Sequence, residues 1–303
     1  MLDNRKILII GSSGQVGKSI ENLIQDSHEL VILNRPACDF TRQEELKNLI
    51  HNIKPSIIIN AAAFTSVDLA EKETHLALTC NQEAPKLLAQ ISSNINALLI
   101  HFSTDYVFDG NRTDAYLEED ACNPISMYGS SKRLGEIEII NSGCKYFIFR
   151  TSWAYGPFRN NFLKTILNLA YSRQSISIVD DQIGSPTSTN LISMIVEKFI
   201  DLYLGGKITD KNYGIYHLAA SGKVSRHGFA CSIIKGAIQE GFTINIEEDN
   251  ILPIPSSEYP LVANRPKNSA LNSSKITNFL GVEIFNWEIY LNRVLQQMKE
   301  DSI

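Results

Sequence analysis

The stretch Lys6-Ile-Leu-Ile-Ile-Gly11-Ser-Ser-Gly14-Gln-Val-Gly17 decides the fold of this chain. Four consecutive β-branched or branched aliphatic residues, Ile7 to Ile10, suit a strand covered on both faces, as in a parallel sheet. Three glycines at a spacing of three follow at once, and Val16, Ile20, Leu23 and Ile24 then form one apolar stripe of a helix. Strand, glycine loop and helix in that order make a tight turn that lets backbone approach a pyrophosphate. The helix start adds free N–H groups and partial positive charge. The spacing is G-x-x-G-x-x-G rather than G-x-G-x-x-G, yet its place directly after a first strand implies dinucleotide binding at the loop that starts with Gly11.

Outward from this unit the same rhythm continues. Glu29–Leu33, Ser56–Asn60, Ala97–Phe102 and Lys145–Arg150 are further short apolar runs, and Leu46, Leu49, Ile50 and Ile53 form a second helical stripe. Alternation of strand and helix predicts an α/β fold, a Rossmann-type doubly wound parallel sheet. After Arg150 the pattern loosens: residues 160–171 and 187–203 read as helices, 175–179 and 214–219 as strands, and the Pro-rich run Leu252–Pro260 as an extended loop. The expected division is a dinucleotide-binding domain at 1–151 plus about 188–219, with a smaller C-terminal substrate lobe at 152–187 and 220–303.

Composition narrows the function. The chain has 303 residues, 44% hydrophobic and 20% charged, with a net charge of −5 and no cluster of Lys and Arg. Nucleic acid and anionic membrane surfaces therefore have no electrostatic claim on it. Five scattered cysteines without a C-x-x-C spacing fit neither a disulfide framework nor a zinc site, so reduced thiols and a cytoplasmic setting are expected. No His or carboxylate cluster suggests a metal site, and none is expected.

Two short strings carry the chemistry: His101-Phe-Ser-Thr-Asp-Tyr-Val-Phe-Asp-Gly110 and Tyr128-Gly-Ser-Ser-Lys132. Residues four apart share a helix face, so Lys132 is expected beside Tyr128, its positive charge favouring the phenolate. With the Thr104 hydroxyl at a strand end, this is equipment for moving a proton to or from a carbonyl oxygen. The second strand ends in Asn34-Arg35 where a ribose-reading carboxylate would stand in an NAD site. Without that acid a 2′-phosphate is not repelled and Arg35 can pair with it, which favours NADPH, with NADH the alternative.

Taken together, these strings resemble the extended short-chain dehydrogenase/reductase family, and within it the dTDP-4-dehydrorhamnose reductases. The match runs through Gly11–Gly17, Asn60–Ala63, Ser103–Gly110, Tyr128-Gly-x-x-Lys132, Arg150–Trp153, Asp181-Gln-x-Gly184-x-Pro-Thr187 and Arg265-Pro266. The resemblance implies NADPH-dependent reduction of the 4-keto group of dTDP-4-dehydro-L-rhamnose, in nucleotide-sugar synthesis for surface polysaccharide. Position by position, Thr104 would bond the sugar carbonyl oxygen, Tyr128 would give it a proton, and Lys132 would hold the nicotinamide ribose while lowering the phenol's pKa. Thr104, Asp105 and Trp153 would touch the nucleotide-sugar, and Arg265 its diphosphate. Gly14, Gln15 and Val16 would meet the pyrophosphate, Asp39 and Phe40 the adenine, and Ala63, Phe64 and Thr65 the cofactor near the third strand. Phe64 departs from the family, standing where a His is sometimes found. A homodimer is common among such proteins.

Alternatives share the scaffold. A sister 4-ketoreductase of another nucleotide 6-deoxysugar would carry the same strings, as would a non-catalytic NADP-binding regulatory subunit like that of methionine adenosyltransferase. A 4,6-dehydratase would carry Glu at the position of Tyr106, and an epimerase would keep the ribose acid that Asn34 replaces.

Overall fold

Why the glycine loop matters is clear from the order of the strands. The protein is described by a computed structural model over residues 5–34, 39–40 and 42–301. It begins β1 (Ile7–Ile10), α1 (Gln15–Ile24), β2 (Leu30–Leu33), α2 (Gln43–Ile53) and β3 (Ile57–Asn60). Next come α3 (Val67–Ala70), α4 (Thr74–Leu78), a π-helical turn at Thr79–Glu83, α5 (Ala84–Ile95) and β4 (Leu98–Thr104). A 3-10 turn (Asp105–Val107), α6 (Met127–Asn141) and β5 (Lys145–Thr151) follow. The remainder holds β6 (Ala154–Tyr155), α7 (Phe162–Ser172), β7 (Ile176–Val179), β8 (Ile183–Gly184), β9 (Thr187–Ser188) and α8 (Thr189–Leu204). It ends with β10 (Gly214–His217), β11 (Val224–Ser225), α9 (Arg226–Gln239), β12 (Ile251–Ile254), α10 (Ser274–Leu280) and α11 (Trp287–Glu300).

Six strands pair in parallel in the order β2-β1-β3-β4-β5-β10. The chain leaves β1 toward β2, then crosses to β3 on the other side of β1. The loops after β1 and β3 therefore diverge and open a crevice between them, the place where such sheets bind ligands.

Alternation along each strand builds the two cores. Ile7, Ile9, Ile57, Ile59, Leu98 and Ile100 face one side, against Ile20 and Ile24 of α1 and Ile192, Ile195 and Val196 of α8. Leu8, Ile10, Ile58, Leu99 and Ile148 face the other, against Leu46 and Ile50 of α2, Leu88 and Ile91 of α5 and Ile139 of α6. The first core runs on without a break into Leu163, Phe229, Trp287 and Leu291. The Ser19 hydroxyl, donating to the Thr189 carbonyl at 3.0 Å, pins α1 to α8.

The Pro-rich run differs from its reading as loop. Its first residues form β12, which pairs in parallel with β7 and sets Pro253 opposite Ile178. A two-stranded ribbon has free edges, so a residue without N–H is tolerated there. A 3-10 turn at Ser256–Glu258 follows, its Ser256 N–H bonded to the Asp181 carboxylate at 3.1 Å. Among the described residues no helix is long and apolar enough to cross a membrane.

Candidate active site

Gly11 has φ +87°, and a Cβ there would lie 2.6 Å from the Ala62 nitrogen. A Cβ at Gly17 would lie 2.5 Å from the Gly11 carbonyl oxygen. Only glycine lets the first loop press against Ala61-Ala62 and let α1 close on the loop. Gly14 starts α1 with no side-chain cap, so the first N–H groups of the helix have no partner within it. Gln15 donates through Nε2 to the Ala154 carbonyl at 3.1 Å, while its buried Oε1 has no partner. Open helix N–H groups, a loop without side-chain bulk and an orphaned amide oxygen fit the phosphates and amide groups of a dinucleotide.

Asn34 braces this loop: its Oδ1 accepts from Ser13 N–H and its Nδ2 donates to Ser12 Oγ, both at 2.9 Å. Arg35 lies outside the described residues. Asp39 is half-buried near Arg42, at 3.9 Å, and Phe40 is buried in the second core with Leu33 and Leu46. Val16 packs against the first core. Ala63 and Thr65 are exposed at the crevice mouth, and Phe64 is half-buried between them. Asn81, on the π turn, holds Phe64 through both its N–H (2.9 Å) and its carbonyl (3.0 Å).

Helix α6 brings the reaction strings together. Ser126 caps it, accepting from Gly129 N–H at 3.2 Å. A Cβ on Gly129 would stand 2.1 Å from the Tyr106 carbonyl oxygen, and one on Gly135 2.0 Å from that of Asn81. Two glycines six residues apart thus allow α6 to lie directly on the 3-10 turn and the π turn. That closeness puts Tyr128 edge-on to Tyr106, ring centroids 5.8 Å apart, and within hydrogen-bonding reach of Thr104. The Thr104 hydroxyl donates to Asp105 Oδ1 at 3.0 Å and accepts from Tyr106 N–H at 3.2 Å.

Electrostatics differ from the expectation for the Tyr–Lys pair. Lys132 turns away from the phenol and donates to the Phe102 carbonyl at 2.6 Å, with its Nζ 3.2 Å from His101 Nε2. Burial pushes the Tyr128 phenol above its ordinary range, the Thr104 hydrogen bond opposing, and no Lys132 charge brings it down. Burial also pushes Lys132 down to about 8, partly offset by Glu136. Position i+4 gave the shared face correctly; the side chain chose the buried carbonyl of β4, which sequence spacing does not reveal.

Behind this pair a fully buried ion pair fixes α6 to β5. Arg150 donates through Nε and Nη2 to the two Glu136 oxygens at 2.9 and 2.8 Å, and Arg133 adds a third bond at 2.8 Å. Burial alone would raise the Glu136 carboxyl, but these guanidinium bonds hold it below its usual range. The Arg150 guanidinium also lies 5.2 Å over Phe108, on which Tyr116 stacks at 4.1 Å. Arg150 and the Phe108–Gly110 end of the first string are scaffold.

Trp153 has φ +44°, a region bulky residues seldom enter, which marks a site where the surroundings enforce strain. A Cβ at Gly184 would meet its indole at 2.3 Å, so the Gly184 backbone forms the floor under it. Arg226 lies 4.3 Å over the Trp153 ring and donates to Gln182 Oε1 at 3.1 Å and to the Tyr106 hydroxyl at 3.4 Å. Its charge reaches Asp105, whose carboxyl burial raises and whose bonds from Ser269, Ser152 and Thr104 oppose the rise. Arg226 and Ser152 join the site here; Ser152 falls within the Arg150–Trp153 string, whereas nothing in the sequence around Arg226 marked it. Arg265 is paired with Asp68 at 2.6 Å, its buried Nε without a partner.

A parallel sheet with a glycine loop at its switch point, and a Thr–Tyr–Lys set at the ends of β4 and α6, define a short-chain dehydrogenase/reductase. The chain belongs to the family described as RmlD substrate binding domain, whose model matches residues 5–300. It is 36% identical over 286 residues to a dTDP-4-dehydrorhamnose reductase of Burkholderia thailandensis, covering 93% of this chain and 95% of that protein. It is also 36% identical over 294 residues to the spore coat polysaccharide biosynthesis protein SpsK of Bacillus subtilis, covering 96% and 97%. A crystal structure of a dTDP-4-dehydrorhamnose reductase of Bacillus anthracis in complex with NADP superposes with a TM-score of 0.88 at 34% identity, covering 97% and 99%.

Proposed function

We propose that the protein reduces the 4-keto group of dTDP-4-dehydro-L-rhamnose, using NADPH, to give dTDP-L-rhamnose. The observation that carries this reading is the packing of α6 on the 3-10 turn, which brings the Tyr128 phenol to the Thr104 hydroxyl at the end of β4. The relatives named above are similar over nearly their whole length, which supports the substrate class.

The glycine loop and the start of α1 hold the pyrophosphate, with Gln15 Oε1 turned to a polar group of the ligand. Asn34 offers no negative charge to repel a 2′-phosphate, and the sequence follows it with an arginine at 35, a residue type that would favour one. Bound NADPH supplies the hydride. Thr104 and Tyr128 donate to the substrate carbonyl oxygen, where negative charge develops, and Tyr128 transfers its proton there. A phenol raised by burial stays protonated across the working pH range, so the donor is always loaded. Lys132, beside it on the helix, reaches the ribose hydroxyls. Trp153, stiffened by Gly184 and Arg226, gives the sugar nucleotide an apolar face, and Arg265 releases Asp68 to meet its diphosphate. Tyr106 leaves no carboxylate for the water elimination of a dehydratase.

On this reading residues 1–151 with 188–219 carry the dinucleotide, residues 152–187 with 220–303 carry the sugar nucleotide, and the reaction runs in the cytoplasm. NMR analysis of the product formed from dTDP-4-dehydro-L-rhamnose and NADPH tests it. The expected product is dTDP-L-rhamnose; a different epimer sinks the substrate assignment, and no oxidation of NADPH sinks the activity.

A further inference from the structure

Behind Tyr128 a row of buried polar groups runs from the end of β3 across the middle of β4 to α6. Asn60 closes β3, and His101 lies beside it in register on β4. Asn60, His101 and Lys132 are 1%, 0% and 2% exposed. Their contacts run in series. Ala62 N–H donates to Asn60 Oδ1 at 3.2 Å, and Asn60 Nδ2 lies 3.0 Å from His101 Nδ1. His101 Nε2 lies 3.2 Å from Lys132 Nζ, which donates to the Phe102 carbonyl at 2.6 Å.

Both ends are backbone groups with fixed roles, and they set the direction of every bond between them. The Ala62 N–H only donates, so the Asn60 atom facing it is the carbonyl oxygen. The Asn60 NH2 then faces His101, and Nδ1 accepts with its lone pair. A neutral imidazole with bare Nδ1 carries its proton on Nε2, so His101 donates to Lys132. An ammonium has no lone pair to receive that bond, whereas an amine has one and still gives a hydrogen to Phe102. Reversing the row would require Asn60 to flip and set two donors face to face at Ala62.

Burial acts in the same sense. It pushes Lys132 down to about 8, and burial by itself pushes His101 well below its usual value, so the imidazole stays neutral. Besides Lys132, the titratable groups on α6 are Tyr128, Arg133, Glu136 and Glu138. On the elements packed against it they are Asp68 of α3, His75 of α4, Cys80 and Glu83 of the π turn, Lys86 of α5, His101 of β4, Asp105 and Tyr106 of the 3-10 turn, and Lys145, Tyr146 and Arg150 of β5. Glu136 favours the charged lysine but is already bonded to Arg150 and Arg133.

We propose that Asn60 and His101 are positioning residues that latch Lys132 inward as an uncharged amine, and that binding of the dinucleotide releases it by protonation. The release step rests on the cofactor reading above; the latch does not. One proton from solvent adds to Nζ, forming one N–H bond and breaking none in the protein. The ammonium can no longer accept from His101 and turns to the crevice, where ribose hydroxyls accept from it.

Two measurements on the full chain test this. In cofactor-free protein labelled with 15N-histidine at pH 9, the His101 ring is assigned as the signal absent from His101→Leu. It is expected to hold its proton on Nε2 with Nδ1 bare; a proton on Nδ1 overturns the latch. Calorimetric titration with NADP+ at pH 8.5, in buffers of different ionisation enthalpy, is expected to show uptake of about three-quarters of a proton, from a Lys132 titration at about 8. His101→Leu is expected to lower that uptake at least about twofold; unchanged uptake would leave burial alone responsible and overturn the role of His101. Should that variant fail to fold, wild-type uptake between pH 7 and 9.5 decides, since it must grow through the lysine's titration, and none at any pH overturns the release. A protein that binds no NADP+ while His101 holds its Nε2 proton overturns the cofactor reading and the release, and upholds the latch.

Discussion

Gly129→Ala isolates the placement of the proton donor from its chemistry. The added methyl would stand 2.1 Å from the Tyr106 carbonyl oxygen, against the 3.4 Å at which ordinary contact begins, so α6 and the 3-10 turn must part by about 1.3 Å. Overpacking of this kind costs about 1–3 kcal/mol, and the better helix propensity of Ala returns up to about 1 kcal/mol. A melting temperature lower by up to about 5 °C follows for a chain of this size. The effect on turnover is larger. Tyr128 adjoins the altered residue and Thr104 sits on the other side of the gap, so the two donors lose their common target. A displacement of about 1 Å in such a pair lowers kcat about 100-fold. Steady-state kinetics give kcat, and quenching of protein fluorescence gives NADP+ affinity, which stays within about twofold because the loop at Gly11–Gly17 does not touch α6 at Gly129. Ser130→Ala, one residue along, is the control and changes neither. Wild-type turnover in Gly129→Ala would refute the reasoning, for it would mean that close packing of α6 on Tyr106 does not place the donor.

Three further substitutions probe the other parts. Tyr128→Phe is expected to lose about 10²–10⁴ in kcat with NADP+ binding retained in the same fluorescence titration; substantial residual turnover would assign the proton to another group. Glu136→Gln leaves the buried Arg150 uncompensated and is expected to lower stability by about 3–5 kcal/mol in urea unfolding. Because the folded Glu136 carboxyl is held below its unfolded value, its contribution is complete above the unfolded pKa and is lost as pH falls through the folded one. The wild type therefore loses stability on acidification below about pH 4 more steeply than the variant, measurable as unfolding midpoints from pH 3 to 6. Arg226→Ala frees the Trp153 ring from its guanidinium cover and is expected to raise KM for the sugar nucleotide about tenfold with kcat within about threefold. An unchanged KM would remove Trp153 from the substrate surface.

Sequence by itself determined the sheet and the chemistry it presents. Runs such as Ile7–Ile10 and Ile57–Ile59 are apolar on both faces and too short for helices, so parallel strands follow from burial alone. The glycine loop and the hydroxyl–phenol–amine set are local strings, legible because backbone clearance and proton transfer need those residue types. Tertiary structure decided what the side chains do there. Spacing of four put Lys132 on the Tyr128 face, but only the packing of α6 on β4 offered it the Phe102 carbonyl and His101 instead of the phenol. Gly129 and Gly135 look like poor helix formers until the oxygens of Tyr106 and Asn81 stand against them. Arg226 lies 73 residues from Trp153 and covers its ring only through the fold. Even Pro253 pairs as a strand because a two-stranded ribbon leaves it a free edge. Period and composition are written along the chain, whereas the partners of a buried charge come from segments far apart and exist only once the chain has closed on itself.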